Sequence, residues 1–262
     1  MKIWYQSYTD PDEHRDYIER LDRFLQAAKD PGTRIDLKGL KPSAKHVHGL
    51  TEFRCAEQVI RNAIQAEREG YDAFIVGHFQ DAGLNEAKSV VDIPVLGLGE
   101  SSMLYACTLG RKIGLVTIDR IFIPWHEDQV LRYGLEKRVV GVRAIDTNLD
   151  EFMQAFTTEA GYRLVLDRFG REVAPLVANG IDVILPAGGL PMLLLAREKG
   201  FAIGGAPVVN GIPIAVKMAE MAVALHRLNG LAVSRVANFA KPPPLALAEF
   251  LATRAPLPDD RS

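Results

Sequence analysis

"GYDAFIVGHFQDAG", Gly70 to Gly83, decides how the chain is read. A glycine ends whatever helix precedes it, an aspartate follows two residues later, an apolar run makes a short buried strand, and His78 arrives in a glycine-punctuated turn. The pattern recurs. "EGYDAFIVGH" (Glu69 to His78) and "NGIDVILPAG" (Asn179 to Gly188) share the helix-ending Gly, the Asp and the hydrophobic strand. Counted from Gly70 and Gly180, His78 falls opposite Gly188, so two equivalent strand tips carry different occupants.

Outward from these segments, short strand-type runs alternate with longer stretches of helical period, the pattern of parallel sheets covered on both faces. One series of strands is "KIWYQS" (Lys2 to Ser7), "RIDLKGL" (Arg34 to Leu40), "DAFIVG" (Asp72 to Gly77) and "IPVLGLG" (Ile93 to Gly99). The second is "KIGLVTI" (Lys112 to Ile118), "KRVVGV" (Lys137 to Val142), "DVILPA" (Asp182 to Ala187) and "GAPVV" (Gly205 to Val209). Helices are expected over Cys55 to Glu69, Ser101 to Leu109, Tyr162 to Ala178 and Ile212 to Leu228. The fold class is therefore α/β: two pseudo-symmetric Rossmann-like lobes, each with a mostly parallel four-stranded sheet flanked by helices. Residues 1–99 plus 210–262 form the first lobe and 100–209 the second, because the Ile212 helix must return to cover a sheet face. Carboxyl ends of parallel strands face the ligand crevice, so the two tips should meet across an interlobe cleft. Three prolines, Pro242 to Pro244, bar a regular helix where they stand, and the tail reads as an arm or frayed end.

Composition narrows the function. The 262 residues carry a formal net charge of -2 with both signs interspersed, which offers no basic stripe for a nucleic acid. No apolar run approaches the ~20 residues of a membrane span, and "MKIWYQSYTD" starts as a strand rather than as a cleavable leader. A cytoplasmic protein without nucleic-acid or membrane partners is expected. Cys55 and Cys107 lie far apart, so they imply neither a disulfide framework nor a zinc site and read as buried small hydrophobes.

"DAFIVGHFQDAGL", "IPVLGLGESSMLYACTLGRKIGLVTI" and "GAPVVNGIPIAVKMAEMAV" together resemble the aspartate/glutamate/hydantoin racemase superfamily, most closely its hydantoin racemase branch. The resemblance implies an interlobe active site, no organic cofactor, a small carboxylate or cyclic amide substrate, and a homo-oligomer, which the apolar "LALAEFLA" (Leu245 to Ala252) also suggests. In those racemases a cysteine at each tip exchanges the α-proton from opposite faces. Here His78 and Gly188 stand at the two cysteine positions. A two-thiol racemisation is unavailable, whereas arylmalonate decarboxylases of the same superfamily resemble this chain in having one protonating side chain and a glycine opposite.

An imidazole exchanges protons near neutrality, so His78 is the candidate acid or base, and it reads otherwise as a histidine that hydrogen-bonds to its own turn. Gly77, Gly188 and Gly189 would let a carboxylate or enediolate approach the backbone. Glu100 is a second catalytic candidate, since the resemblance places its segment at the site, with Ser101 and Ser102; Ser101 reads equally as a helix N-cap. Strand-end Gln6, Ser7 and Thr117 are candidate substrate contacts, as any polar strand end would be. Asp81 either orients His78 or ends its turn, and Asn210, before Gly211, either binds substrate or caps the last helix. His46 and His48 could share a metal with His78, or lie in a solvated loop. His126 lines the cleft or its rim, and His14 and His226 fit solvated helix faces.

The first reading is thus one-sided, cofactor-independent acid/base chemistry, lyase- or hydrolase-like. Its alternatives are a hydantoin or amino-acid racemase, a metal-dependent amide hydrolase on His46, His48 and His78, and a non-catalytic ligand-binding protein.

Overall fold

The computed structural model describes residues 1–42, 46–147 and 149–253. From the amino terminus the chain runs β1 (Lys2–Gln6), α1 (Arg15–Ala28), β2 (Arg34–Lys38), α2 (Gly49–Arg68), β3 (Ala73–Val76), α3 (Leu84–Val90) and β4 (Val95–Gly97). It continues through α4 (Leu98–Leu109), β5 (Ile113–Thr117), α5 (Phe122–Arg132), β6 (Val139–Ala144), α6 (Leu149–Thr157), α7 (Glu159–Ala178) and β7 (Val183–Pro186). Last come α8 (Gly189–Leu195), β8 (Ala202–Ile203), β9 (Ala206–Pro207), α9 (Gly211–Asn229) and α10 (Pro244–Ala252). The first sheet is parallel in the order β2-β1-β3-β4, and the second is parallel in the order β6-β5-β7.

The two sequence repeats become matching joints. Gly70 and Gly180 take left-handed φ values of +73° and +83°, and Tyr71 and Ile181 donate back to the carbonyls of Ala66 and Leu176, which closes α2 and α7. The paired aspartates then anchor the neighbouring central strands. Asp72 accepts from the Lys2 N–H at 2.6 Å, and Asp182 accepts from the N–H groups of Lys112 and Arg111 at 2.8 and 3.0 Å. Each bond sets the level at which β3 meets β1, or β7 meets β5, and so fixes the height of the strand tips.

Alternation along the strands sorts the core into two faces. Trp4, Phe74 and Val76 pack with Val59 and Ala63 of α2, whereas Ile3, Tyr5, Ala73 and Ile75 turn toward Leu21 and Leu25 of α1. That second cluster continues through Leu98, Met103 and Ala106 of α4 into Leu115 and Leu185 of the second sheet, so the lobes share one core. Helix α9 packs on α1, α4, β3 and β4.

Several elements depart from the sequence expectation. The fourth strand expected in the second lobe shrinks to the short β8–β9 hairpin and a single parallel bridge, Ile184 to Val208, because Pro207 has no N–H to offer a ladder. Helix α2 begins at Gly49 rather than Cys55, since the His48 ring accepts the Leu50 N–H at 3.1 Å and caps it. The three prolines do not prevent α10. Pro244 occupies its first position, where the missing N–H costs nothing, and the Arg61 guanidinium donates to the Phe250 carbonyl at 2.7 Å at its far end. No helix of the described residues is long and apolar enough to cross a membrane.

Helix α4 begins at Leu98, which moves Ser101 into its interior and removes the N-cap reading of that residue. Its exposed first N–H groups are met instead by Asp81: Gly99 N donates to Oδ1 at 3.0 Å and Glu100 N to Oδ2 at 2.7 Å. Gln129 Nε2 and the Tyr133 hydroxyl, from α5 and the residue after it, add bonds of 3.1 and 2.6 Å. Asp81→Ala takes the acceptor from the buried Gly99 N–H and from the partly buried Glu100 N–H and Tyr133 hydroxyl, and should destabilise the protein by about 3–5 kcal/mol. Urea unfolding checks it, and a loss under about 1 kcal/mol contradicts the clamp.

Candidate functional site

The carboxyl ends of both sheets open on one cavity of about 190 Å³, the scale of a small molecule. Ser7 follows β1, His78 follows β3, Asp119 follows β5, Thr147 follows β6 and Gly188 follows β7, and each lines it. Parallel strands put their ends on one side, which gathers residues distant in sequence.

The first tip is built around a close approach. A Cβ at Gly77 would lie 2.2 Å from Tyr5 Cε1 and 2.7 Å from the Gln6 carbonyl, so only glycine lets the chain leave β3 this near to β1. His78 is then held twice. The Tyr8 ring stacks on it with centroids 3.9 Å apart and planes 9° apart, while the Tyr8 hydroxyl donates to the Ala82 carbonyl at 2.7 Å. Glu52, in the first turn of α2, brings Oε1 to 3.0 Å from His78 Nε2. Burial pushes the Glu52 carboxyl up, but the charge and hydrogen bond of His78 outweigh it and hold the group below its ordinary value. The partner oxygen Oε2 is buried without a hydrogen bond.

The opposite tip carries no side chain and has no ordinary backbone for one. Gly188 sits at φ +157°, ψ 148°, a region that side chains rarely enter. A Cβ there would lie 2.9 Å from Pro191 Cδ. Gly189 follows at the start of α8, with Tyr17 Oη 3.5 Å from where its Cβ would be.

Of the candidate site residues singled out in the sequence, Ser7, His46, Gly77, His78, Gly188 and Gly189 line this cavity. The others belong to the surrounding framework. Lys88 Nζ stands 2.7 Å from both Glu100 oxygens, which occupies that carboxylate in an ion pair outside the cavity lining. Gln6 is fully engaged: its amide donates to the Ser7 and Lys38 carbonyls, and its oxygen accepts from Trp4 and Asn62. Asn210 caps α9 through the Ile212 N–H and donates to the Met192 carbonyl. Ser102 Oγ donates to the Leu98 carbonyl within α4. Ser101 and Thr117 are buried with unpaired hydroxyls, and neither is a cavity residue. Asp81 works as the clamp on α4 and faces a separate surface groove.

Sequence reasoning missed Glu52, Tyr8, Tyr17 and Thr51, which also line the cavity, and placed His14 on a solvated face although it does too. No group of three His, Cys, Asp or Glu side chains among the described residues is arranged to hold a metal ion. His48 is spent on capping α2 and only His46 joins His78 at the cavity, so the three-histidine metal site does not assemble. Cys55 is buried in α2, where burial pushes its thiol up to about 11, and Cys107 lies near the end of α4; neither lines the cavity.

Two α/β lobes whose strand tips wall one cleft define a two-lobed α/β enzyme scaffold. The chain belongs to the Asp/Glu/Hydantoin racemase family, whose model matches residues 15–219. It is 32% identical over 194 residues to a hydantoin racemase of Rhizobium meliloti, covering 74% of this chain and 76% of that protein. It is 31% identical over 176 residues to a hydantoin racemase of Pseudomonas sp. (strain NS671), covering 67% and 68%. An allantoin racemase from Klebsiella pneumoniae superposes with a TM-score of 0.77 at 22% identity, over 93% of this chain and 94% of that chain.

His126 lies behind the cavity in α5, fully buried against Phe79 and Phe122, with Nδ1 3.3 Å from Gln129 Oε1 and Nε2 unpaired. Burial lowers it to about 4, so it stays neutral in the fold. Asp81 moves the other way, raised by burial to about 7 against the hydrogen bonds it accepts. A depressed histidine gives stability above pH 6.5 that is lost as pH falls toward about 4, because the unfolded chain takes up the proton first. A raised carboxyl gives stability at low pH that is lost as pH climbs to about 7. The His126→Gln variant keeps only the second dependence. Relative to wild type it should gain roughly 3 kcal/mol on going from about pH 6.5 to about pH 4. Urea unfolding at the two pH values checks this, and a constant difference between the proteins contradicts it.

Proposed function

We propose that this member of the family exchanges a proton on one face of a small cyclic amide or carboxylate held between the two strand tips, with His78 where the racemases it resembles carry a cysteine. The exchange is one-sided: the C–H bond on a single face is broken and re-formed, the proton delivery that a lyase-like turnover also uses. The asymmetry of the tips carries this reading: an imidazole paired with Glu52 stands at one, and a glycine at φ +157° with Pro191 against it stands at the other. As base, the neutral imidazole takes the proton from a carbon next to a carbonyl while the C–H electron pair moves into that carbonyl; as acid, the imidazolium returns it. Gly188 and Gly189 let the ligand lie against bare backbone.

Two acidic side chains, Glu52 and Asp119, line the cavity and disfavour a multiply charged anion. This supports the cyclic amide over a dicarboxylate, as does the likeness to hydantoin and allantoin racemases. A second reading, racemisation, is favoured by those same relatives and by His14, a further imidazole on the cavity wall.

One enantiomer of a chiral hydantoin in deuterated water separates the two. One-sided chemistry exchanges deuterium at the stereocentre with retention, whereas racemisation labels both enantiomers and overturns the proposal. The His78→Asn variant keeps a polar side chain of similar shape but no titrating proton, so exchange should fall by about 100- to 10,000-fold. Wild-type exchange in that variant removes His78 from the mechanism.

A further inference from the structure

His78 has two ring nitrogens, and the surroundings treat them differently. Nε2 lies 3.0 Å from Glu52 Oε1, while Nδ1 makes no hydrogen bond to any described residue. Glu52 can serve this role because α2 starts early: the His48 cap at Leu50 N puts position 52 in the helix's first turn. The ring plane is set separately by Tyr8, whose own orientation is fixed through its hydroxyl on the Ala82 carbonyl, in the turn that follows His78. With its edge on Glu52 and its face on Tyr8, the ring has little freedom to flip.

We propose that His78 exchanges its proton through Nδ1, and that Glu52 and Tyr8 are positioning residues: Glu52 keeps a proton on Nε2, and Tyr8 holds the ring plane. The inference rests on the acid/base reading of His78 given above. An ionised carboxylate can only accept, so Nε2 must be the donor, and the neutral ring then carries its lone pair on Nδ1. Glu52 is held below its ordinary value, which keeps it ionised at neutral pH. When Nδ1 takes the substrate proton, the C–H electrons move into the adjoining carbonyl, and the imidazolium retains its Nε2–H···Glu52 bond. The reverse step restores the C–H bond and the Nδ1 lone pair. Throughout, the Nε2 proton stays in place.

The first test needs no substrate. The full chain is labelled with ¹⁵N-histidine, and the His78→Asn variant shows which signals, among those of six histidines, belong to His78. Neutral His78 should be protonated at Nε2 and bare at Nδ1. The opposite tautomer in the wild-type protein overturns the proposal, and this result stands whether or not any variant folds. In Glu52→Gln the preference should weaken or invert, because the amide can donate to Nε2 as well as accept; an unchanged tautomer overturns the role of Glu52. In the deuterium-exchange assay, Glu52→Gln should lower kcat by about 100- to 10,000-fold with KM little changed. A rise in KM alone contradicts positioning. An inactive His78→Asn together with the wrong tautomer would leave the acid/base reading intact and reject only this inference, whereas an active His78→Asn rejects the acid/base reading itself.

Discussion

The carboxylate of Asp81 receives a hydrogen bond from each of four donors: the N–H groups of Gly99 and Glu100, the Gln129 amide and the Tyr133 hydroxyl. It is buried, so without it the Gly99 N–H would be left unpaired in the interior, and the Glu100 N–H and Tyr133 hydroxyl would lose their acceptor at a partly buried site. The residue sits three positions after His78 in the turn that leaves β3, and its partners belong to α4 and to the end of α5. One side chain therefore ties the turn carrying the imidazole to the helix that follows β4 and to an element of the second sheet's neighbourhood. If that tie loosened, His78 would lose its fixed height relative to Gly188, and the cleft its width. Asp81 itself adopts φ +54°, a left-handed conformation that aspartate tolerates and that the hydrogen bonds hold in place. Its hydrogen bonds are those of a clamp, although its burial and raised pKa give it the look of a catalytic acid.

Asp81 and His126, both shifted by burial, thus lie outside the cavity lining, and His78 is set apart by its access to the cleft. His126 is strongly shifted and wholly enclosed, whereas His78 opens on the cavity and faces a carboxylate held in its charged form. Glu52 is the link between them: Oε1 is committed to His78, and a proton on either ring would act on its carboxylate. Because His126 is neutral at neutral pH, the carboxylate's one strong partner is the ring in the cleft. Electrostatic pairing is therefore concentrated on the exposed imidazole rather than shared with the buried one.

How much of this was legible in the chain follows from what each residue depends on. Strand tips are local features, so Ser7, Gly77, His78, Gly188 and Gly189 could be located from short apolar runs and the glycines after them, and they do meet at one cavity. Glu100, Gln6, Asn210 and Ser102 looked like site residues because they are polar and stand near strand ends or helix starts, yet each has its polar atoms taken up by a neighbour. Nothing in a sequence shows that Lys88 will come within 2.7 Å of Glu100. Glu52 and Tyr8 were invisible for the converse reason: one lies 26 residues from His78 along the chain, and only the packing of α2 beside β3 joins them. The early start of α2 depends on a histidine cap, which pattern reading does not anticipate from the loop that precedes it.

The internal repeat separates the requirements of the scaffold from those of the reaction. Both copies keep the left-handed glycine and the aspartate that anchors the neighbouring strand, because each lobe must bring its strand tip to the same level. Beyond the strand, the copies diverge in backbone as well as in side chain. After β3 the chain turns through Gly77 into a histidine clamped by Tyr8 and Glu52; after β7 it passes through Gly188 in a conformation suited to glycine alone and enters α8 at once. Placing a side chain at Gly188 would therefore require more than a change of residue, since Pro191 stands where its Cβ would go. The difference between the two tips is built into the path of the main chain, and a side chain to oppose His78 would have to come from another element of the wall.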